Sequence, residues 1–419
     1  MPAEPNLADV LRERGLFNQC TDPEIDRRLS APTTLYCGFD PSADSLHVGH
    51  LLPIMGLAWA QRLGHTPIAL VGGATGRVGD PSFKDASRPM LDEAALDRNV
   101  AAVGAQLAAF LDFDADANAA KLVNNLDWIG PLSWLDVLRD IGSRVSVNRM
   151  VGMESVRQRM GRDADAHGDG ISYLEFSYMI LQAYDFVHLH RSLGCTLQMA
   201  GQDQWGNIVM GIELARKLDS AALAGLTLPL ITKSDGTKFG KTAGGAVWLS
   251  AERTPPWDFF QFFRNTADAD VARYLAYFTF LPMDEVRALT AEGGVALNAA
   301  KTRLAFEVTR TVHGDAEAEK ARDAAARVFA AGGVDAGADG VPHSALAAVE
   351  AAGEALTLTD LLRAAGFAAS GGEAKRHVAS GAVRLDGQKQ TDPRRPIEPG
   401  AEPIVLTVGK KKIHRFDVA

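Results

Sequence analysis

Residues 36–50 of this 419-residue chain read Y-C-G-F-D-P-S-A-D-S-L-H-V-G-H, and this stretch constrains the fold more than any other. An apolar run closes on Leu35-Tyr36-Cys37, as a buried strand does. Gly38, Asp40 and Pro41 break it into a loop. From Val48 to Leu63 the chain is apolar over the length of a core helix. His47 and His50 therefore sit where a strand has handed over to a helix. Three apart, they can share one face of the first turn. Unpaired N–H groups and the helix dipole favour an anion there, and two imidazoles can donate to phosphate oxygens. Alone, H-x-x-H reads more readily as polar capping of a helix start. Zinc is disfavoured: no H-E-x-x-H accompanies the pair, and the three cysteines are scattered.

The alternation continues. His65–Gly73 (H-T-P-I-A-L-V-G-G) reads as a second buried strand, so a parallel, Rossmann-like α/β sheet is expected. The glycine-rich run Gly72–Ser82 is either a flexible loop or a backbone that passes close to a ligand. It is not a dinucleotide fingerprint, because Asp80-Pro81 stands where the helix should begin. Leu91–Leu111 is helical in pattern, Lys121–Asp127 suggests another strand, and Ser146–Arg162 reads as a solvated helix. In the helix expected over Tyr173–Asp185, Tyr178 and Gln182 share a face that Asp185 extends. Polar groups there either line a pocket or sit at the core edge with their tips in water. Thr196–Asn207 reads as a strand, a polar turn and a new helix. In it Gly201 permits close approach and Asp203 can accept from ribose hydroxyls. Thr232–Gly245 (T-K-S-D-G-T-K-F-G-K-T-A-G-G) holds four glycines in fourteen residues and is expected to be mobile. Lys238 and Lys241 can converge on a phosphate chain and neutralise a leaving pyrophosphate; a lone K-x-x-K is otherwise a solvated turn.

Pro255–Ala331 reads as several helices, and Ala330–Gly340 is small enough to be a linker. The end of the chain suggests helix, loop, basic helix, then a hairpin around Asp386-Gly387. The expected division is a sheet domain over 1–250, helices over 251–330, a linker over 331–356 and a small α+β module over 357–419. Charge supports a separate tail. Thr357–Ala419 holds eleven Lys and Arg against seven Asp and Glu, a surplus of four. The whole chain carries −9, so the first 356 residues carry −13. A basic tail on an acidic body suggests an anionic partner held by the tail. Hydrophobic content of 47% and charged content of 23% are ordinary for a soluble enzyme. No run of eighteen apolar residues and no leader are seen. Cys20, Cys37 and Cys195 suit reduced thiols, so a cytoplasmic protein is expected.

In its fifteen-residue context, H-V-G-H resembles the "HIGH" signature of class I aminoacyl-tRNA synthetases, in the version of the tyrosine enzymes. K-F-G-K-T at Lys238–Thr242 is similar to their "KMSKS" loop, with both lysines kept. Tyr173–Asp185 resembles their tyrosine-binding helix. The tail resembles the ribosomal-protein-S-four-like RNA-binding domain. The resemblance covers nearly the whole chain. It implies ATP-driven activation of L-tyrosine and transfer to tRNA(Tyr), with Mg²⁺ accompanying ATP and no tightly bound cofactor. It assigns catalysis to His47, His50, Lys238, Lys241 and Thr242. Tyrosine falls to Tyr36, Gly38, Asp40, Asp80, Tyr178, Gln182, Asp185 and Gln204. ATP falls to Ser42, Gly49, Gly201, Asp203 and Lys241, and RNA to Arg376, Arg384 and Lys389. No protein metal site, membrane or DNA partner is expected; a homodimer is. Two other classes stay in view. A relative activating tryptophan or another small molecule would not need Tyr36 with Asp185. A non-catalytic RNA-binding relative would have lost the histidines or lysines, and none is lost.

Overall fold

The computed structural model describes residues 5–80, 92–154, 156–157, 171–242, 245–330, 341–353, 355–398, 400–409 and 412–418, without the side chains of 241–242 and 328–330. The chain divides into two compact units. One comprises Met1–Gly240, Trp248–Ser250 and Ala269–Ala291; the other comprises Lys241–Val247, Ala251–Asp268 and Glu292–Ala419.

The first unit is built on a six-stranded sheet. Its strands are β1 (Gln19–Cys20), β2 (Thr34–Phe39), β3 (Thr66–Val71), β4 (Lys121–Asn124), β5 (Leu197–Gly201) and β6 (Ala224–Leu228), in the order β1-β6-β5-β2-β3-β4. Strands β2 to β6 run parallel, and β1 lies antiparallel on the edge. All but the first residue of β3 and all of β6 are buried, as expected of strands covered on both faces. The chain moves outward from β2 through β3 to β4, then returns to β5 on β2's other side. The strand order thus reverses between β2 and β5, and in such sheets that point opens a crevice beyond the carboxyl ends of the strands.

Two helices fix what faces this crevice. Leu51–Arg62 joins β2 to β3 and buries eight of its twelve residues, so it is a core helix rather than an amphipathic one. Tyr173–Leu193 starts in a capping box of Ser172 with Glu175 and stops at Gly194. Gly194 has φ +65°, and its N–H caps the carbonyls of Leu189 and His190. The inner side of this helix packs Met179, Ala183, Phe186 and Val187 into a core with Tyr36, Ile68, Met210 and Leu214. Phe186 meets Tyr36 edge-on at 5.2 Å.

Residues 269–291, expected with the helices of 251–330, cluster with the sheet unit. Arg14 explains part of this. Its buried guanidinium donates to the carbonyls of Ala276, Thr279 and Leu281 and lies 4.1 Å over the Trp59 ring.

In the second unit, helices Pro256–Arg264, Leu297–His313 and Asp315–Ala330 pack on one another. A five-stranded sheet follows, in the order Gln388–Lys389, Val383–Leu385, Ile404–Val408, Lys412–Asp417, His343–Ala345. Helices Leu358–Ala364 and Gly371–Ala379 contribute Leu361, Leu362 and Val378 to its core, beside Leu385, Leu406 and Phe416. The expected hairpin is present: Leu385 pairs with Gln388, and Asp386 and Gly387 both have positive φ, the two-residue turn that matches strand twist. His343–Ala345 lies within the stretch expected as a linker, yet pairs in parallel with Lys412–Asp417.

Candidate functional site

The crevice over β2 and β5 gathers the polar residues singled out in the sequence. Gly38 is exposed within β2, where its neighbours Tyr36, Cys37 and Phe39 are buried. A Cβ there would come no nearer than 3.8 Å to Leu70, so packing within the chain does not demand glycine. Asp40 follows the strand. Its Oδ2 accepts from the Tyr178 hydroxyl at 2.9 Å and its Oδ1 from Thr75 Oγ1 at 2.9 Å. Gly72 is needed for this approach, because a Cβ would collide with Thr75 Oγ1 and Asp40 Oδ1.

A second group lies beyond β5. Gln204 Nε2 donates to Asp80 at 2.8 Å and to Asp203 at 3.1 Å. Asn207 Nδ2 joins Gln182 Oε1 at 2.9 Å to Gln204 Oε1 at 3.0 Å. The crevice is acidic: Asp40, Asp80 and Asp185 all act electrostatically on Tyr178, whose phenol is held well above its usual range chiefly by burial. Such a lining suits an ammonium group and sugar hydroxyls.

At the deep end, Asp185 is 2% exposed. Asn125 Nδ2 donates to its Oδ2 at 3.0 Å and Trp128 Nε1 to its Oδ1 at 2.9 Å. Burial pushes its carboxyl up to about 7 despite these two donors, and Asp40 adds to the rise. Tyr36 is 1% exposed, and its hydroxyl has no hydrogen-bond partner. Gln198 pairs with Tyr36 in register on β5, so both side chains lie on one face of the sheet; its Oε1 is also buried and unpartnered. Each buried orphan costs about 1–3 kcal/mol until something pairs with it.

The histidines follow the carboxyl end of β2, where the loop after Asp40 enters the helix Leu51–Arg62. His47 Nδ1 accepts from Gly49 N at 3.1 Å and His50 Nδ1 from His47 N at 3.1 Å, with the rings stacked at 4.0 Å. They do cap the turn Val48–His50. An Nδ1 that accepts places the proton of a neutral ring on Nε2, so capping leaves each ring an Nε2–H donor. Capping and phosphate contact are thus compatible. Ser42 is exposed on the loop between Asp40 and the histidines, and Gly201 ends β5 two residues before Asp203.

Lys238 is exposed beside buried Phe239. Lys241 and Thr242 pair with Gly245-Ala246 through their backbones, and their side chains lie outside the described residues. In the tail, Arg376, Arg384 and Lys389 are all exposed. Arg384 and Lys389 stand directly opposite each other across the hairpin. Like charges so placed repel, which an anion between them would relieve. Among the described residues no group of three or more His, Cys, Asp or Glu side chains is arranged to hold a metal ion. Among them too, no helix is long and apolar enough to cross a membrane.

Sequence reasoning missed Thr75, Asn125, Trp128, Gln198 and Asn207. The adjacent asparagines of K-L-V-N-N-L-D, and a glutamine inside an otherwise apolar strand, were the available signals.

This crevice, between the halves of a parallel sheet with paired histidines at its mouth, belongs to a known class. The family model "tRNA synthetases class I (W and Y)" matches residues 28–330, and an S4 domain model matches residues 349–413. A tyrosine–tRNA ligase of Rhodospirillum rubrum is 48% identical over 96% of both chains. One of Cereibacter sphaeroides is 47% identical, again over 96% of both. The crystal structure of a C-terminally truncated mitochondrial tyrosyl-tRNA synthetase of Aspergillus nidulans superposes with a TM-score of 0.70 at 31% identity. It covers 78% of this chain and 95% of that one. The chain belongs to the tyrosine–tRNA ligase family of class I synthetases.

Proposed function

We propose that this chain activates L-tyrosine with ATP and transfers it to tRNA(Tyr). The tyrosine carboxylate attacks the α-phosphate, the bond to the β-phosphate breaks, and pyrophosphate leaves. A hydroxyl of the terminal ribose of tRNA then attacks the acyl carbon of tyrosyl-adenylate, and AMP leaves. Both steps need positioning and charge stabilisation rather than a protein nucleophile. Tyr36 and Asp185 receive the phenol. Asp80, Tyr178 and Gln182 hold the ammonium, with Asp40, Gln204 and the backbone at Gly38 completing the tyrosine site. Ser42, Gly49, Gly201 and Asp203 take ATP. Charge stabilisation at its phosphates falls to His47, His50, Lys238, Lys241 and Thr242, and Mg²⁺ enters on the triphosphate.

The observation that carries this reading is the Tyr36 hydroxyl, buried without a partner in the core that also buries Asp185. A phenol can donate to the carboxylate and accept from Tyr36; an indole or a plain phenyl ring cannot do both. ATP–pyrophosphate exchange with each amino acid in turn tests it. Exchange with tyrosine alone is expected, and exchange with tryptophan in its place overturns the reading.

In this reading the sheet domain spans 1–250 together with 269–291, and the rest of 251–330 is the helical domain. The S-four-like domain over 357–419 takes in the strand His343–Ala345 from the stretch 331–356 expected as a linker. That last domain holds tRNA through Arg376, Arg384 and Lys389. The protein works in the cytoplasm as a homodimer. Exposed Trp134, Leu135, Val147 and Tyr173 supply an apolar face for the second copy, with Trp134 and Tyr173 in edge contact at 6.0 Å. Sedimentation of wild type against Leu135→Asp tests the dimer.

A further inference from the structure

The lysine-bearing loop is fastened to a helix that follows it at a distance in the chain. Asp270 stands at the start of the helix Val271–Phe278 and is 2% exposed. Its Oδ2 accepts from both the N–H and the Oγ–H of Ser234, at 3.0 and 3.1 Å. Its Oδ1 accepts from Arg273 Nη2 at 2.5 Å, and the same nitrogen donates to the Thr232 carbonyl at 2.7 Å. Beyond these contacts, buried Phe239 stacks on Phe278 at 5.4 Å and meets Tyr274 edge-on at 4.9 Å. Between the two anchors the chain folds back on itself. Thr232 bridges Lys238, Lys233 N donates to Thr237 O, and Gly236 turns at φ +80°. The helix is itself pinned, because Arg14 holds the carbonyls of Ala276 and Thr279 near its far end.

Burying a carboxylate is costly unless donors surround it. Two of the donors to Asp270 belong to the loop, so the carboxylate is best satisfied when the loop is docked. We infer that Asp270 is a positioning residue for adenylation, latching the loop so that Lys238, next to the aromatic anchor, is presented to the phosphates. This rests on the ligase reading above. It requires only that the docked loop be better placed in the transition state than a released one.

The test uses the full-length chain carrying Asp270→Ala, Asp270→Asn or Ser234→Ala. Single-turnover adenylate formation, tyrosine affinity by equilibrium dialysis and thermal unfolding are measured on each. Asp270→Ala is expected to slow adenylate formation at least tenfold while tyrosine affinity stays within twofold. Asp270→Asn keeps an acceptor for Ser234 and is expected to recover most of the rate. Ser234→Ala is expected to lose several-fold alone and little more on top of Asp270→Ala, because both remove the same hydrogen bond. A folded Asp270→Ala that forms adenylate at the wild-type rate overturns the latch. If that variant does not fold, wild-type rates in both Ser234→Ala and Phe239→Leu overturn it. If wild type forms no tyrosyl-adenylate, the ligase reading has failed instead. Trypsin cleavage after Lys238 still reads the latch: faster cutting in Asp270→Ala or Ser234→Ala supports it, and unchanged cutting in both overturns it.

Discussion

Asn125 Nδ2 donates to Asp185 Oδ2 at 3.0 Å, joining residues sixty apart in the chain. Asn125 is fully buried, and the same amide donates to Thr75 Oγ1 at 3.1 Å. Thr75 in turn donates to Asp40, so one asparagine ties the floor of the crevice to its rim. Asn125→Ala removes a donor from a buried carboxylate that already titrates near 7. Tyrosine binding should weaken by about 1–3 kcal/mol near neutral pH, and by less at higher pH where Asp185 is ionised anyway. Tyrosine dissociation constants at two pH values check this.

The raised carboxyl of Asp185 also sets a pH dependence. The folded protein keeps this proton up to about 7, whereas an unfolded aspartate releases it near 3.8. Through this group the folded state is favoured below that lower value, and the benefit is lost as pH rises to about 7. Tyrosine binding runs the other way, because only the ionised carboxylate is a full acceptor for the phenol. Affinity should rise with pH through about 7 and then level off, and Asp185→Asn should abolish both trends. A wild-type tyrosine affinity that stays flat across this range would show that another group reads the phenol.

Tyr36→Phe removes the orphan hydroxyl and little else. Tyrosine use should fall, phenylalanine use should barely change, and the ratio of kcat/KM for the two should narrow. Stability should hold or rise slightly, since a buried unpaired hydroxyl has gone. Pyrophosphate exchange with both amino acids, plus a thermal melt, separates these effects.

Lys238→Ala and Lys241→Ala should each slow adenylation strongly and leave tyrosine affinity nearly unchanged, as for contacts made mainly in the transition state. Rapid-quench measurement of adenylate against equilibrium tyrosine binding decides it.

In the tail, Arg376→Ala, Arg384→Ala and Lys389→Ala change exposed side chains only. Adenylate formation should be untouched and tRNA affinity reduced. The dependence of affinity on salt should become shallower by about one counterion for each phosphate that the variant no longer neutralises. A tail triple variant with the wild-type salt slope would place tRNA binding elsewhere.

The sequence by itself determined the local elements and the chemical types at the site. Strand, loop and helix from Leu35 to Leu63, the face shared by Tyr178 and Asp185, and the Asp386-Gly387 turn follow from rules that act within a few residues. Hydrophobic period, helix spacing and turn chemistry all carry that range. Only the tertiary structure decided what those side chains meet. The paired asparagines mark Asn125 only as polar and Trp128 lacks any local pattern, since their partner Asp185 arrives from another part of the chain. The near-neutral carboxyl of Asp185 and the orphan hydroxyl of Tyr36 depend on burial, which a sheet and a helix create only once packed together. Residues 269–291 read as plain helices, yet they cluster with the sheet unit because Arg14, Asp270 and Phe278 find partners there. Hydrogen bonds and dispersion act over a few ångströms, so they become legible only when the fold has brought distant segments within that reach.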